Sequence, residues 1–125
     1  MRNSIRRLPD SEQEVMQAIW SCTPPVSRAD IEKCLADTYP IAQTTLLTLL
    51  ARLTEKGFLW AGKDGQKKIF TPRITQQEYL AAQGNRFFNK LCRGNLSTFA
   101  AALCDSGLTR EEIAELRVLL ERDEL

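Results

Sequence analysis

Between Thr44 and Lys68 the chain places a helix striped with leucine and threonine, a Lys56-Gly57 stop, and two short apolar runs around a Lys-Asp-Gly-Gln-Lys-Lys tip. Leu46, Leu49, Leu50 and Leu53 recur at i, i+3, i+4, i+7, which is one buried face of a helix over about residues 42–56. At about 100° per residue, Thr44, Thr48, Ala51 and Glu55 turn the other way, with Thr45 and Arg52 on one flank and Leu47 on the other. Leu47 sits at the edge of the buried stripe and is expected to widen the core rather than to face outward. Gly57 suits a left-handed helix cap. The runs at about 58–62 and 68–72 read as strands joined through the turn-forming Asp64-Gly65 pair. Few folds accept a helix with a short polar outer face feeding directly into a lysine-tipped hairpin.

The flanking segments narrow the choice. Ser11 with Glu14, Thr75 with Glu78 and Thr109 with Glu112 have the spacing of capping boxes, and Ser27 with Asp30 is a weaker start. A first helix over about residues 11–21 presents Val15, Met16, Ile19 and Trp20, and Pro24-Pro25 bars its continuation. A second, about 28–37, presents Ile31, Cys34 and Leu35. Beyond Pro72 only helical patterns follow, at about 76–92, 96–104 and 110–122, with stripes of Leu80, Phe87, Phe88 and Leu91, then Leu96, Phe99, Ala100 and Leu103, then Ile113, Leu116 and Leu120. So few residues make a poor core alone, so these stripes are expected to pair two copies of the chain. The expected fold is mostly α with a small β-hairpin wing. It comprises a winged helix-turn-helix domain over 1–74 and a helical dimerisation domain over 75–125.

Composition removes several function classes. There is no histidine, hence no histidine general base and no triad built on one. No glycine-rich phosphate loop occurs, and an enzyme is not expected. Cys22, Cys34, Cys92 and Cys104 form no C-x-x-C pair, so neither a metal site nor a cofactor is expected. Cys34 and Cys92 fall on apolar helix faces, as inert buried thiols do. No apolar run is long enough to span a membrane, and the basic N-terminus precedes no signal core; a cytoplasmic protein is expected. The net charge is only +1, but residues 1–73 hold 11 Lys or Arg against 8 Asp or Glu and residues 74–125 hold 6 against 8. The positive excess accompanies the hairpin.

A helix lying in a DNA major groove about 12 Å wide needs an outer face of small hydrogen-bonding side chains. Thr44, Thr45 and Thr48 offer hydroxyls and methyls, and Arg52 can reach a guanine edge or a phosphate. Lys63, Lys67 and Lys68 on the wing would neutralise backbone phosphates, and Arg28, Arg6 and Arg7 are further candidates for the backbone. Each part has a plainer explanation, since outward threonines and lysine-tipped turns are common on soluble surfaces. Two other readings stay open: a winged helix serving protein–protein assembly, and a thiol-sensing regulator using Cys92 or Cys104.

The segments Ser11–Trp20 and Thr45–Phe58 resemble the penicillinase repressor family of BlaI, MecI and CopY, and Leu108–Leu116 is similar to that family's last helix. The resemblance implies a homodimeric winged-helix repressor on a palindromic operator, controlling β-lactam resistance or related stress genes, with a sensor or protease as a further partner. Departures are visible. Relatives of the β-lactam branch tend to carry a basic residue at the Leu47 position. They are cut by a sensor protease at an Asn-Phe bond, where this chain has Ala101-Ala102, and no Asn-Phe occurs anywhere in it. The copper branch ends in Cys-x-Cys ligands, whereas this chain ends Glu121-Arg122-Asp123-Glu124-Leu125.

Overall fold

The structure is a computed structural model and describes residues 5–122. Its elements run α1 (Asp10–Trp20), β1 (Val26–Ser27), α2 (Arg28–Ala36), α3 (Gln43–Glu55), β2 (Leu59–Asp64), β3 (Lys67–Pro72), α4 (Gln76–Arg86), a π-helical turn (Phe87–Leu91), α5 (Leu96–Asp105) and α6 (Arg110–Arg122). The chain divides into two compact units, Met1–Gln83 and Gly84–Leu125. The first unit takes in the opening turns of α4.

Helix-turn-helix and wing share one core. All four stripe leucines of α3 are buried, together with Val15, Met16 and Ile19 of α1 and Ile31 and Leu35 of α2. Burying one such side chain contributes about 1.5–3 kcal/mol, so each helix is held chiefly by its stripe. The end of α3 is fixed twice: Phe58 N donates to Leu53 O at 2.9 Å and Gly57 N to Thr54 O at 3.1 Å. This pair of bonds is the Schellman arrangement, and it requires the left-handed residue that Gly57 supplies at φ +84°. Phe58 and Leu53, joined by the longer of these two turns, are both buried, so the helix stop also seats the start of β2.

The sheet is antiparallel with order β1-β3-β2. Its register pairs Leu59 with Pro72, Ala61 with Phe70 and Lys63 with Lys68, and β1 adds Val26 opposite Phe70. The two-residue β1 lies outside the expected elements; it is too short to show alternation, yet it places Val26 in the core. The wing strands are also longer than expected. Asp64 pairs with Lys67, so the loop is Gly65-Gln66, with positive φ at Gly65 alone, the pattern of a type II′ hairpin turn.

Two capping boxes form in full: Thr75 with Glu78 and Thr109 with Glu112 exchange both hydrogen bonds at 2.9–3.0 Å. Ser27 accepts from Asp30 N at 3.2 Å and caps α2. The Ser11–Glu14 box does not form. Helix α1 starts earlier, with Pro9 as its cap and Gln13 N donating to Pro9 O at 2.9 Å, which leaves Ser11 inside the helix. Glu12 on the same turn is buried and its carboxylate accepts from Lys56 Nζ, tying α1 to the end of α3.

Upstream, Ile5 and Leu8 are buried, and Leu8 N donates to the hydroxyl of Tyr79 at 3.0 Å. Tyr79 in turn donates to Gln13 Oε1 at 3.0 Å and meets Phe58 edge-on and Trp20 at a tilt. Trp20 Nε1 donates to Ile74 O at 2.9 Å. The start of α4 is thereby clamped to α1.

The second unit is built differently. The helix expected to continue to residue 92 loosens after Arg86 into the π-helical turn, and Gly94 N closes back on Phe88 O at 2.8 Å. Phe99 of α5 packs against Phe87 and Phe88, with centroids 5.8 and 5.5 Å apart. No residue of α5 or α6 is buried. No helix among the described residues is long and apolar enough to cross a membrane.

Candidate nucleic-acid interface

The outer face of α3 carries Thr44, Thr45, Thr48, Ala51, Arg52 and Glu55, all exposed. Thr48 Oγ1 donates to Thr44 O at 3.1 Å. That bond occupies the hydroxyl proton and leaves the oxygen's lone pairs and the methyl available to a groove. Arg52 stands on the flank with no ion-pair partner within 4.0 Å among the described residues, so its guanidinium is free to reach a base edge or a phosphate.

The N-terminal end of α3 is set by α2. With the Gln43 amide oriented to satisfy both side chains, its oxygen accepts from Arg28 Nη1 at 2.7 Å and from Nη2 at 3.3 Å. Arg28 also lies 3.9 Å from the Glu32 carboxylate. Arg28 therefore braces the two helices against each other as well as presenting charge at the start of α2. Arg6 and Arg7 are exposed, between the anchored Ile5 and Leu8.

On the wing, Lys63, Lys67 and Lys68 are exposed strand residues. Directly paired residues in an antiparallel sheet share a face, so Lys63 and Lys68 lie beside each other on the face that further along presents Ala61 and the buried Phe70. Lys67 is paired with Asp64 on the opposite face. Lys63 and Lys68 also line a cleft of about 600 Å³ between α3 and the wing, with Leu47, Ala51 and Glu55 on the helix side and Ala61 and Phe70 on the strand side. Leu47 does not enter the core as expected. It is half-buried in the wall of this cleft, because the wing stands off from α3 at that level.

Sequence reasoning missed three features here. Gln43 was not associated with Arg28, although a glutamine in the first turn of a helix opposite an arginine in the first turn of its neighbour is a readable pairing. Arg73 stacks on the exposed Trp60 with its guanidinium carbon 5.2 Å from the ring centroid, on the wing face away from the cleft. The Glu12–Lys56 pair spans 44 positions and leaves no local signal. Apart from Lys67 and the upstream Arg6 and Arg7, each predicted cation and threonine of this site lies on α3, at the start of α2, or on the wing face that lines the cleft.

The assembled surface offers a polar helix face flanked by two adjacent lysines, with a free arginine on the helix. This geometry suits a duplex with its major groove over α3 and a phosphate strand along the wing. Comparison with known proteins gives the surface a context. The family described as penicillinase repressor matches residues 8–122. The chain is 31% identical over 118 residues to the penicillinase repressor of Bacillus licheniformis, covering 94% of this chain and 91% of that protein. It is 26% identical over 128 residues to the methicillin resistance regulatory protein MecI of Staphylococcus aureus strain N315, covering 98% and 99%. Among solved structures, the Bacillus licheniformis BlaI monomer in complex with the blaP half-operator aligns at 33% identity with a TM-score of 0.51, over 60% of this chain and 90% of that one. The isolated DNA-binding domain of the repressor BlaI gives the same TM-score and identity over 58% and 88%. The chain belongs to the penicillinase repressor family.

Proposed function

We propose that this protein is a DNA-binding transcriptional repressor that acts as a homodimer on a palindromic operator. The observation that carries the reading is the exposed Thr44, Thr45, Thr48 and Arg52 face of α3 beside Lys63 and Lys68, in a chain similar to a repressor solved on half-operator DNA. Helix α3 enters the major groove, where the threonine methyls and hydroxyls and Arg52 read base edges. Lys63 and Lys68 grip the phosphates of one strand, and Arg28, Arg6, Arg7 and Lys67 add charge at the margins. The protein is a regulator and not an enzyme, and it works in the cytoplasm.

The helices after the wing support dimerisation. Leu80, Leu91, Leu96 and Leu120 are exposed, and Phe87, Phe88, Phe99, Leu103, Ile113 and Leu116 are only half-buried. A second copy of the same helices covers these stripes and fixes the half-site spacing. The regulated genes, on this reading, concern β-lactam resistance or a related stress. Release from DNA involves a sensor or protease partner that does not rely on an Asn-Phe bond, since Ala101-Ala102 stands in α5.

The test is capture of genomic fragments on the purified protein at about 0.15 M salt, followed by sequencing. Enrichment of one palindrome upstream of a few genes is the expected result, with affinity falling steeply as salt rises. Random recovery at all salt concentrations, or none, transfers the winged helix to a protein–protein role.

A further inference from the structure

The thiols of Cys22 and Cys34 lie 3.3 Å apart, sulfur to sulfur. Both are free and half-buried. Cys22 follows the C-cap of α1, in the connection leading to β1, while Cys34 sits in the last turn of α2. Cys22 Sγ also lies 3.3 Å from Ala18 O, where its proton can be donated. Cys92 is buried and Cys104 exposed, and neither makes a thiol–thiol contact among the described residues.

We propose that Cys22 and Cys34 are a site of reversible oxidation, closing into an intramolecular disulfide that staples the end of α1 to α2 inside the helix-turn-helix. A disulfide needs its sulfurs at about 2.05 Å, so the gap must close by roughly 1.2 Å. Cys22 stands outside any helix and can supply that movement by side-chain rotation and a small shift of its connection. The closed loop contains β1 and Arg28, the residue that braces Gln43 at the start of α3. In a reducing compartment, disulfides of this kind are transient and respond to oxidant.

The oxidant is a peroxide. One thiolate attacks a peroxide oxygen: a sulfur–oxygen bond forms, the oxygen–oxygen bond breaks, and the departing hydroxide takes a proton to become water. The resulting sulfenic acid is attacked by the second thiolate. A sulfur–sulfur bond forms and the sulfur–oxygen bond breaks, releasing a second water. The two thiols lose two electrons and two protons in total, and hydrogen peroxide accepts them to become two waters. Burial, then the neighbouring Cys34, pushes the Cys22 thiol above its ordinary value; Asp30 pushes the same way and Ser21 opposes. Oxidation therefore accelerates as pH rises, with the thiolate fraction.

The test uses the full chain, treated with hydrogen peroxide, alkylated and digested with trypsin without reduction. The expected product is one species joining the peptides 8–28 and 34–52, lighter than their sum by two hydrogens and separated again by dithiothreitol. Cys34→Ser abolishes it. Exposed Cys104 serves as the internal gauge of oxidant dose. Recovery of both peptides as free alkylated thiols, or as sulfinic acids, after Cys104 has been oxidised overturns the proposal. Linkage of Cys22 or Cys34 to Cys92, Cys104 or a second molecule, with no 8–28 to 34–52 species, overturns it as well. None of these readouts involves DNA, so failure of the repressor reading would leave the result interpretable.

Discussion

The unit ending at Gln83 and the unit starting at Gly84 use the same kind of amphipathic helix to different ends. In the first, the stripes of α1, α2 and α3 meet under a sheet, and the core extends from Ile5 to Tyr79. In the second, Cys92 is the one buried residue among those described, and Leu91 and Leu96 stay 73% and 71% exposed. Three phenylalanine rings touch there, yet none is buried. A stripe therefore predicts burial but not the partner that provides it. Where the chain supplies facing stripes, as in the first unit, a closed core results; where it does not, the apolar side chains stay exposed or half-buried.

Charging the open stripes should have the largest effect. Leu96→Glu combined with Leu120→Glu is expected to turn a dimer into a monomer in sedimentation. Affinity for a palindrome should fall by about 10²- to 10⁴-fold, the loss of linked binding, or roughly 3–5.5 kcal/mol. The unfolding midpoint of the winged-helix unit should stay where it was. A dimer that persists with full affinity would remove these leucines from any interface.

Charge removal in the closed unit should act in the opposite sense, on stability and not on assembly. Glu12 is 2% exposed, and its Lys56 partner keeps 21% of its side-chain surface, so the ion pair is partly screened. Cutting a fully buried pair costs about 3–5 kcal/mol; allowing for the exposed lysine, Glu12→Ala should cost about 2–3 kcal/mol. For a unit of this size the midpoint should drop by roughly 10 °C or more, measured by thermal melts. An unchanged melt would mean that the pair contributes no more than a surface bridge.

The legibility of these features follows their range along the chain. The α3 stripe and the Gly57 cap were readable because helix period and left-handed glycine are local. So were the boxes at Thr75 and Thr109. Ser11 with Glu14 has the same spacing and failed, because the helix is capped two residues earlier, at Pro9, and Glu12 is drawn toward Lys56. Tyr79 went unread beside its exposed neighbour Leu80, yet it is buried and its hydroxyl ties the start of α4 to Leu8 and to Gln13 of α1. Ile5, Leu8 and the two-residue β1 are too short for any period. On the candidate interface, the threonines, Arg52 and two wing lysines were legible as exposed residue types on a face, whereas the cleft that takes in Leu47 depends on how far the wing stands from α3. The Cys22–Cys34 contact crosses a turn whose path no pattern specifies.

Binding contributions of single side chains should be no larger than either effect above and should separate from stability. Arg52→Ala is expected to cost about 1–3 kcal/mol of operator binding if the guanidinium reads a base, with the melt unchanged because the side chain is exposed. Equal affinity for operator and unrelated DNA in the variant would assign it to base reading, and a uniform loss would assign it to phosphate.

The smallest effect lies on the wing, and its two parts have opposite signs. Lys63 and Lys68 stand directly opposite each other on one face of the wing, and like charges so placed are mildly destabilising. Lys68→Gln should therefore leave the melting point unchanged or raise it slightly. If a DNA phosphate lies between these ammonium groups, the same change should weaken binding to all sequences alike. It should also reduce the slope of log affinity against log salt by about 0.9, the value of one phosphate contact. A lysine kept only for solubility would give the first result without the second. Finding an unaltered salt slope at full affinity would place the DNA backbone elsewhere on the wing and leave the Lys63–Lys68 repulsion without a counter-ion to explain it.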